Sequence, residues 1–241
     1  MNEAFSRTAM LLGEEGVAAL QTKHVAVFGL GGVGSFCAEA LARAGVGALT
    51  LVDDDTVAES NLNRQLVALR STLGQPKAQV MAGRIGDINP QCRLTVLVQR
   101  YTPETREAFF AQPLDFVADC IDSVACKTDL IATAISREIP ILSAMGTGNK
   151  LDPSKLVLTD LAETSVCPLA RVMRRELKRL GITGVKAVYS TEEAMTPRTA
   201  EAGDCKGTAG RPTPGSMAFV PSVAGLILAG EIVRDLLGPA Q

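Results

Sequence analysis

The sequence predicts an α/β fold in which a doubly wound, mostly parallel sheet carries helices on both faces and is followed by a C-terminal extension. Short β-rich runs alternate with helical patterns along the chain, which is typical of strands joined by helical crossovers. Aromatic residues make up 4% of the chain and Trp is absent, so the core must be aliphatic. Aliphatic strands are typical of parallel sheets that helices cover on both faces.

The predicted strands are short apolar runs separated by turn residues. They cover residues 24–28, 48–52, 94–98, 116–120, 140–144 and 156–160, with 185–189 as a further candidate. Helical patterns lie between them at residues 34–44, 76–89, 103–111, 127–138 and 168–180, and a final helix is predicted over 222–237. The polar stretch 191–215 is rich in Gly, Pro and Thr and lacks apolar periodicity, so we expect a flexible loop there.

Composition excludes several classes of protein. Lys and Arg total 24 against 26 Asp and Glu, a net charge of −2, which argues against a globally basic nucleic-acid binder. The N-terminus lacks the apolar core of a signal peptide. The longest apolar run, 217–230, contains Pro221 and is shorter than the roughly 20 residues that span a bilayer. Six cysteines form no C-x-x-C pair, so we expect reduced thiols in a cytoplasmic protein without a membrane partner.

A glycine-rich turn follows the first predicted strand and opens the first predicted helix. It contains the pattern G-x-G-x-x-G at Gly29, Gly31 and Gly34. Such a turn lets backbone N–H groups approach a phosphate at the helix N-terminus, as in Rossmann-like nucleotide sites. Asp53 follows the next strand, where an acid holds the ribose hydroxyls. The alternative is that these glycines only pack a helix on a sheet and that the acids cap a loop.

Two cations favour a nucleotide-activating enzyme over a nicotinamide dehydrogenase, since both classes use this half-fold. Arg64 lies in a polar segment after Asp53, and Lys77 lies at the start of a predicted helix, the unfavourable end for a cation. A bound triphosphate would use both charges, although they could also be solvated surface cations. A Walker-type phosphate loop is absent from the sequence.

Asp122 follows the predicted strand 116–120 and should therefore reach the same sheet edge as Gly31 and Asp53. A carboxylate in that crevice could hold Mg²⁺ against phosphate oxygens. The alternative is that Asp122 caps the helix that follows it. His24 starts a strand at the opposite sheet edge, so we expect a structural role for it.

Five short segments together resemble the ubiquitin-activating-enzyme-like (ThiF/MoeB/HesA) adenylating family. They are residues 28–35, 52–55, 61–65, 75–77 and 120–123, and the resemblance covers about residues 5–165 in order. Segments 5–8, 151–153, 160–161 and 164–171 are similar to the branch of that family that cyclises threonylcarbamoyladenosine in tRNA by removing water. The implied organisation is one domain over 1–241, with an N-terminal arm or helix (1–22), a nucleotide-binding core (24–165) and a C-terminal part (166–241).

The resemblance implies ATP and Mg²⁺ as cofactors and assigns roles to individual residues. Arg7, Arg64, Lys77 and Asp122 would be catalytic, and Asp122 would carry the metal. Arg7 matches an arginine that reaches the neighbouring subunit's ATP site, which implies a homodimer. The nucleotide-binding residues would be Gly29, Gly31, Gly32, Gly34, Asp53, Asp55, Asn61, Arg64, Gln65, Lys77 and Asp122.

The expected reaction is adenylation of a carboxylate, and the modified nucleoside of tRNA is the preferred substrate. Adenylation of the C-terminus of a sulfur-carrier or ubiquitin-like protein is the alternative, although members of that branch commonly carry two C-x-x-C pairs that this sequence lacks. A nucleotide-binding protein without turnover is a third reading. A sulfur-relay or carrier protein could be a partner.

Cys167 at a helix start and Cys205 in the long loop are candidate catalytic thiols, with ordinary buried cysteines as the alternative.

The predicted helix 168–180 concentrates cations and has one acid, Glu176. Its candidate RNA-binding residues are Arg171, Arg174, Arg175, Lys178 and Arg179, with Lys186 just beyond the helix. Such a local patch can bind a phosphate backbone although the whole chain is acidic. A solvated helix face explains the same charges equally well. The loop 191–215, with Arg198, Lys206 and Arg211, could also fold over RNA.

Overall fold

The computed structural model describes residues 3–198 and 214–238, and within them seven strands form one sheet. The strands are β1 (His24–Phe28), β2 (Ala48–Val52), β3 (Arg93–Leu97), β4 (Phe116–Asp119), β5 (Ile141–Ala144), β6 (Leu156–Asp160) and β7 (Lys186–Ser190). Their order across the sheet is β3-β2-β1-β4-β5-β7-β6. All neighbours run parallel except β6 and β7, which pair antiparallel at the edge. The predicted mostly parallel sheet is confirmed.

Helices cover both faces of this sheet, as predicted. They are α1 (Ser6–Gln21), α2 (Gly34–Ala44), α3 (Lys77–Ile88), α4 (Arg106–Phe109), α5 (Val124–Ser136), α6 (Pro168–Arg179) and α7 (Phe219–Leu237). One face is covered by α1, α2, α3 and α7, whose buried aliphatic side chains share a core with the sheet. The other face is covered by α4, α5 and α6 through two further apolar clusters. Aliphatic burial on both faces explains why the strands lack a polar side.

Several helix boundaries differ from the sequence predictions. The predicted helix 103–111 shrinks to α4, because the Thr105 hydroxyl accepts from the backbone N–H of Thr102 and donates to the carbonyl of Arg100, forming a separate turn. The predicted helix 127–138 begins earlier, at Val124, since Lys127 N–H already donates to the carbonyl of Ser123. At α4 the cause is a short polar side chain that bonds to nearby backbone and so competes with the helix.

The point where the chain switches direction in the sheet lies between β1 and β4. From β1 the chain builds outward through β2 and β3, and it then returns to place β4 on the other side of β1. Phe28 pairs with both Val52 and Asp119, so the carboxyl ends of β1, β2 and β4 are level. In open α/β sheets, ligands bind in the crevice outside the carboxyl ends of the strands at such a switch point.

The long loop predicted at 191–215 is described only at its two ends. Thr191 N–H donates to the carbonyl of Lys155 at 2.9 Å, and Met195 N–H donates to the carbonyl of Asn149 at 2.8 Å. On the far side of the loop, Gly215 N–H donates to Oδ1 of Asn149 at 2.7 Å, so Asn149 fastens both ends. Lys206 and Arg211 lie outside the described residues.

None of the helices in the described ranges has the length and apolar character needed to cross a membrane.

Candidate nucleotide-binding site

Two of the predicted phosphate-loop glycines are required by close packing at the switch point. Gly29 has φ of +86°, and a Cβ there would lie 2.8 Å from the carbonyl oxygen of Cys120. A Cβ on Gly34 would overlap the carbonyl oxygen of Gly29 and lie 3.1 Å from Cβ of Cys120. These two glycines therefore hold the turn tightly against the end of β4, as the packing alternative suggested.

Gly31 and Gly32 have different surroundings. The nearest atom to a Cβ on Gly31 would be Nε2 of Gln65 at 3.7 Å, an ordinary contact that side chains tolerate. A Cβ on Gly32 would meet Pro221 of α7 at 3.1 Å. No described neighbour accounts for glycine at position 31, whereas close approach of a phosphate to the backbone would require one.

Asp53 ties the glycine turn to the segment after β2. Its Oδ2 accepts from the N–H of Leu30 at 2.6 Å, and its Oδ1 accepts from the N–H of Asp55 at 2.9 Å. Burial raises the pKa of Asp53 above its ordinary value, while the Lys77 charge and these two N–H groups act in the opposite direction. Each carboxylate oxygen has a second lone pair, so ribose hydroxyls can still donate to Asp53.

Lys77 is buried at the start of α3, not solvated as the alternative had it. Its side chain is 6% exposed, and its Nζ lies 2.7 Å from Oδ2 of Asp55. The anion that offsets a cation at this helix end is therefore a carboxylate of the chain itself. One carboxylate oxygen from each of Asp53, Asp54 and Asp55 lies within 4.8 Å of those of the other two, so the acids after β2 form a close group.

Arg64 carries a positive charge that no carboxylate neutralises within the described residues. Its Nη1 donates to the carbonyl of Ser60 and to Oδ1 of Asn63, both at 2.8 Å. Burial lowers the pKa of Arg64 below its ordinary value, yet a guanidinium stays charged at neutral pH. The carbonyl oxygen of Arg64 would lie 3.5 Å from a Cβ on Gly32, so Arg64 lies beside the glycine turn.

Asn61 and Gln65 complete this side of the crevice. Asn61 is buried and its Oδ1 accepts from the N–H of Ala58 at 3.1 Å, which holds the 58–61 turn in shape. Gln65 is also buried, and its side-chain amide lies beside Gly31 through Nε2. Its Oε1 has no donor among the described residues. Buried acceptors without a donor are rare, which fits a site whose ligand supplies one.

Asp122 lies at the tip of the turn that joins β4 to α5. It is exposed, and its carboxylate makes no hydrogen bond or ion pair with the described residues. The alternative that it caps the following helix is wrong, because α5 begins at Val124 with Ser123 as the N-cap residue. Cys120 N–H donates to the carbonyl of Phe28 at 2.8 Å, which brings this turn beside the glycine turn. A free carboxylate oxygen here suits a hard cation such as Mg²⁺.

Arg7 is exposed on the first turn of α1. Cys167 is 2% exposed and packs in an apolar cluster with Met145 and Ala170, which favours the packing alternative over a catalytic thiol. Cys205 lies outside the described residues. His24 engages both ring nitrogens, with the carbonyl of Pro113 at 2.9 Å and Oγ1 of Thr50 at 2.8 Å, which supports a structural role.

The basic helix α6 is less uniform than its sequence suggested. Arg171 and Lys178 are exposed, and neither forms an ion pair within the described ranges. Arg175 and Arg179 are exposed but both pair with Glu176, at 2.9 and 3.3 Å. The expectation for a further surface cation at Arg174 needs correction: its guanidinium is partly buried and donates to the carbonyl of Thr164 at 2.6 Å. This side chain fastens α6 to the preceding segment.

The sequence suggested that Lys186 extends the basic patch of α6, but the structure shows that it does not. Its Nζ lies 3.0 Å from Glu231 and 3.3 Å from Asp235, both on α7. The charge of Lys186 is thus neutralised by two acids that follow it in the chain by more than forty residues, a contact that only the folded sheet creates.

Two groups of residues near the crevice were not predicted from the sequence. Asn63 Nδ2 donates to the carbonyl of Ser216 at 2.9 Å, linking the Arg64 segment to the approach to α7. Asp119, Lys127 and Ser143 form a buried polar group below the Asp122 turn. A signal for the second group exists in the sequence, because Lys127 stands at a core-facing position with Leu130, Ile131 and Ala134. A buried lysine requires an acidic partner.

The chain is similar over nearly its whole length to characterised proteins. It is 46% identical to tRNA threonylcarbamoyladenosine dehydratase of Bacillus subtilis (strain 168), over 98% of this chain and 96% of that protein. The corresponding protein of Escherichia coli (strain K12) is 42% identical over 82% of this chain and 76% of its own length. A crystal structure of the E. coli enzyme in complex with ATP superposes with a TM-score of 0.87 at 37% identity, covering 97% of this chain and 93% of that one.

A family model assigns residues 5–241 as a whole. It is the model of the ThiF family, and its match includes the glycine turn, the acid after β2, the Arg64 segment and α6. The match confirms the family that the sequence motifs indicated, and it covers the chain beyond residue 165 as well. The chain belongs to the ThiF family.

Proposed function

We propose that this chain is an ATP-dependent adenylating enzyme that cyclises threonylcarbamoyladenosine in tRNA by removing one water. Relatives that match almost the whole chain have this activity by name, and one of them has been crystallised with ATP. The observation in this chain that carries the proposal is the unneutralised guanidinium of Arg64 beside the glycine turn. An adenylating enzyme needs such a charge for the triphosphate and for the departing pyrophosphate.

The nucleotide would lie across the carboxyl ends of β1 and β2. In this arrangement the backbone of Gly31 and Gly32 approaches the phosphates at the N-terminus of α2, where the helix dipole favours anions. Asp53 accepts hydrogen bonds from the ribose hydroxyls. Gln65 and Asn61 line the same crevice, and the unpaired Oε1 of Gln65 is available for a donor on the nucleotide. Gly29 and Gly34 fix the shape of the turn.

Lys77 would act on the triphosphate after exchanging partners. Its ammonium is held by Asp55, which keeps it at the crevice instead of in solvent. A phosphate oxygen can replace or share the Asp55 carboxylate at little cost, because the lysine stays paired with an anion throughout. This exchange makes Asp55 a residue that prepares Lys77 for the nucleotide.

The reaction needs no general base, because a carboxylate is already a nucleophile at neutral pH. The carboxylate of the threonylcarbamoyl group attacks the α-phosphorus of ATP, a new P–O bond forms, and pyrophosphate leaves past Arg64 and Lys77. A neighbouring nucleophile of the same nucleoside then attacks the activated carbonyl and expels AMP, which closes the ring. The protein contributes alignment and charge neutralisation.

We assign Asp122 as the residue that would hold Mg²⁺. Its exposed carboxylate has no partner among the described residues and projects from the turn next to the glycine turn. When bound there, Mg²⁺ would neutralise phosphate charge. Asp53 is less suited to this task, since both of its carboxylate oxygens already accept backbone N–H groups.

A homodimer with Arg7 reaching into the partner's site is supported by the surface of α1. Met10 and Leu11 are 82% and 88% exposed and lie three and four positions after Arg7, on the same helix face. Exposed apolar side chains of this size mark interaction surfaces. Mixing Arg7→Ala and Arg64→Ala subunits should restore activity to about a quarter of wild type, because half of the dimers then hold one intact site. Mixtures as inactive as either variant alone would contradict a shared site.

We propose that the exposed cations of α6, Arg171 and Lys178 together with Arg175 and Arg179, bind the tRNA backbone. Since tRNA is the substrate, we place the reaction in the cytoplasm, where thiols also stay reduced. An upstream sulfur-relay or carrier protein remains an additional proposed partner. The C-terminus of such a carrier is also the competing substrate.

ATP–pyrophosphate exchange separates the three candidate functions. Stimulation of exchange by threonylcarbamoyladenosine-tRNA supports the proposed activity. Stimulation only by a carrier protein with a Gly-Gly C-terminus would favour carrier activation instead, and exchange with neither substrate would favour a nucleotide-binding protein. Unmodified tRNA is the matched control, because it offers the same backbone charge without the carboxylate.

A further inference from the structure

A fully buried ion pair lies directly below the turn that carries Asp122. Asp119, the last residue of β4, and Lys127, in the first turns of α5, both have 0% exposed side chains, and Oδ2 of Asp119 lies 2.7 Å from Nζ of Lys127. Ser143 of β5 is also fully buried and donates its hydroxyl to the same oxygen at 2.6 Å. Among the described residues, this is the ion pair with both side chains entirely shielded from solvent.

The other oxygen of Asp119 holds the backbone of the turn. Oδ1 accepts from the N–H of Ile121, at 3.2 Å, and Ile121 immediately precedes Asp122. The turn is fixed on its near side by the hydrogen bond from Cys120 N–H to Phe28, and on its far side by that from Lys127 N–H to the Ser123 carbonyl. Asp119 and Lys127 therefore connect the end of a strand, the turn and the start of a helix.

Stability alone is a weak reason for this arrangement. Two charges removed from water lose hydration that their mutual attraction barely repays, and apolar pairs of similar volume often stabilise a protein equally well. The neighbours of Lys127 on α5 are apolar, so an aliphatic side chain would fit the same core. What an apolar pair could not supply is the acceptor for Ile121 N–H, which fixes the backbone conformation next to Asp122.

We infer that Asp119, Lys127 and Ser143 are positioning residues that hold the Asp122 turn in the geometry required for the metal-bound nucleotide. The inference rests on the proposed function, in which Asp122 holds Mg²⁺. Lys127 and Ser143 orient the Asp119 carboxylate, and Asp119 orients the turn through Ile121. Residues that support metal ligands in this indirect way typically change metal affinity about 10- to 100-fold when they are removed.

The test replaces the buried pair together, so that no uncompensated charge is left in the core. The variant is Asp119→Leu with Lys127→Met. Its matched control is Asp129→Leu with Arg106→Met, which removes a partly buried ion pair (2.5 Å) between the same helix α5 and α4, away from the turn. Calorimetry then measures the affinity for ATP with Mg²⁺ and with chelator, and the affinity for AMP. Amide hydrogen exchange reports on residues 120–123.

We expect the Asp119/Lys127 variant to lose about tenfold or more of the Mg²⁺-dependent gain in ATP affinity, while AMP affinity stays unchanged. Exchange of the turn amides should accelerate. The Asp129/Arg106 control should keep both properties. In an Asp122→Asn background, the paired substitution should cause no further loss of the Mg²⁺ effect, since positioning acts only through Asp122. A purely structural role would not produce this dependence on Asp122.

A second variant keeps the test decisive if the paired substitution prevents folding. Ser143→Ala removes one hydrogen bond from Asp119 without changing charge, and it should weaken the Mg²⁺ effect in the same direction. If the wild type shows the Mg²⁺ effect and both folded variants keep it in full, the positioning role is wrong and the proposed function stands. A wild-type chain that binds no ATP would instead contradict the proposed function, and the inference would fall with it.

Discussion

The backbone N–H of Leu30 donates a 2.6 Å hydrogen bond to Oδ2 of Asp53, which joins the glycine turn after β1 to the segment after β2. The residue predicted to bind ribose is therefore also the residue that fixes the phosphate turn. Any nucleotide that engages Asp53 meets a turn already set in position, so little ordering is needed on binding. If Asp53 binds the ribose as proposed, this hydrogen bond couples recognition of the sugar to recognition of the phosphates.

Replacing Asp53 by Ala should weaken ATP binding by roughly tenfold or more, because hydrogen bonds to a charged acceptor contribute about 1.5–3 kcal/mol each. The KM for ATP should rise and the melting temperature should fall, since the Leu30 and Asp55 amides lose their acceptor. Asp54→Ala is the matched control: the neighbouring acid is exposed, so both quantities should stay near wild type. Unchanged ATP affinity in the Asp53 variant would remove its role in the site.

Alanine at two different glycines should separate folding from nucleotide binding. Gly34→Ala should destabilise the protein severely, because the new Cβ overlaps the Gly29 carbonyl oxygen. Gly31→Ala should fold normally, since its Cβ meets only an ordinary contact with Gln65 at 3.7 Å, yet it should lose ATP affinity. Thermal unfolding and calorimetry on both variants measure the two effects. Normal ATP binding by a folded Gly31→Ala protein would show that no phosphate approaches this residue.

Charge reversal on α6 should weaken tRNA binding without affecting ATP. We expect Arg171→Glu with Lys178→Glu to raise the KM for tRNA and to lower the salt dependence of binding by about 1 for each RNA phosphate that the helix no longer neutralises. The control is Lys23→Glu with Arg93→Glu, at the amino ends of β1 and β3 and therefore at the sheet edge opposite the crevice. It makes the same change in net charge and should leave tRNA affinity unchanged. Equal effects of both pairs would indicate a general charge effect instead of a binding surface.

Arg174 offers a separate prediction within the same helix. Because its guanidinium bonds to Thr164, Arg174→Ala should lower the melting temperature but leave tRNA affinity largely intact. The pair of variants thus distinguishes a fastening residue from a binding residue, and a selective loss of tRNA affinity at Arg174 would place its side chain on the RNA surface.

The ion pair between Lys186 and Glu231 predicts an acid-dependent loss of stability. The hydrogen bond from Lys186 lowers the pKa of Glu231 below its ordinary value of 4.5. The stabilisation is therefore complete above pH 4.5 and disappears as the pH falls through the pKa of the folded state. Glu231→Gln should cost about 0.5–1 kcal/mol at pH 7, since Lys186 is half exposed. Denaturant unfolding should show this difference shrinking below pH 4.5, and a difference independent of pH would contradict the ion pair.

The sheet and the crevice were predictable because their signals are local. Apolar runs bounded by turns predicted β1, β2 and β6 with their observed bounds, and the glycine turn predicted α2. The position of Asp53 followed from the rule that parallel strands end at one sheet edge. The different surroundings of Gly29 and Gly31 could not be predicted in this way, because they depend on the positive φ of Gly29 and on the approach of Cys120, the residue after β4.

Long-range side-chain pairing explains what the sequence left undetermined. The partner of Lys186 lies on α7, and the inward orientation of Arg174 depends on where Thr164 lies after folding. The local sequence also gave no sign that Lys77 is paired with Asp55, which belongs to a segment more than twenty residues earlier. The sequence of a helix does not show which of its charged side chains point inward, nor which residues they pair with, because both depend on the tertiary structure.

The most direct test of the central claim is to incubate the protein with ATP and threonylcarbamoyladenosine-tRNA, digest the RNA and weigh the modified nucleoside. We predict that the nucleoside loses the mass of one water, with AMP and pyrophosphate as the other products and no conversion when ATP is omitted. Arg64→Ala protein, which lacks the unneutralised charge beside the glycine turn, should convert far less. A nucleoside of unchanged mass after incubation with active, ATP-binding protein would contradict the account.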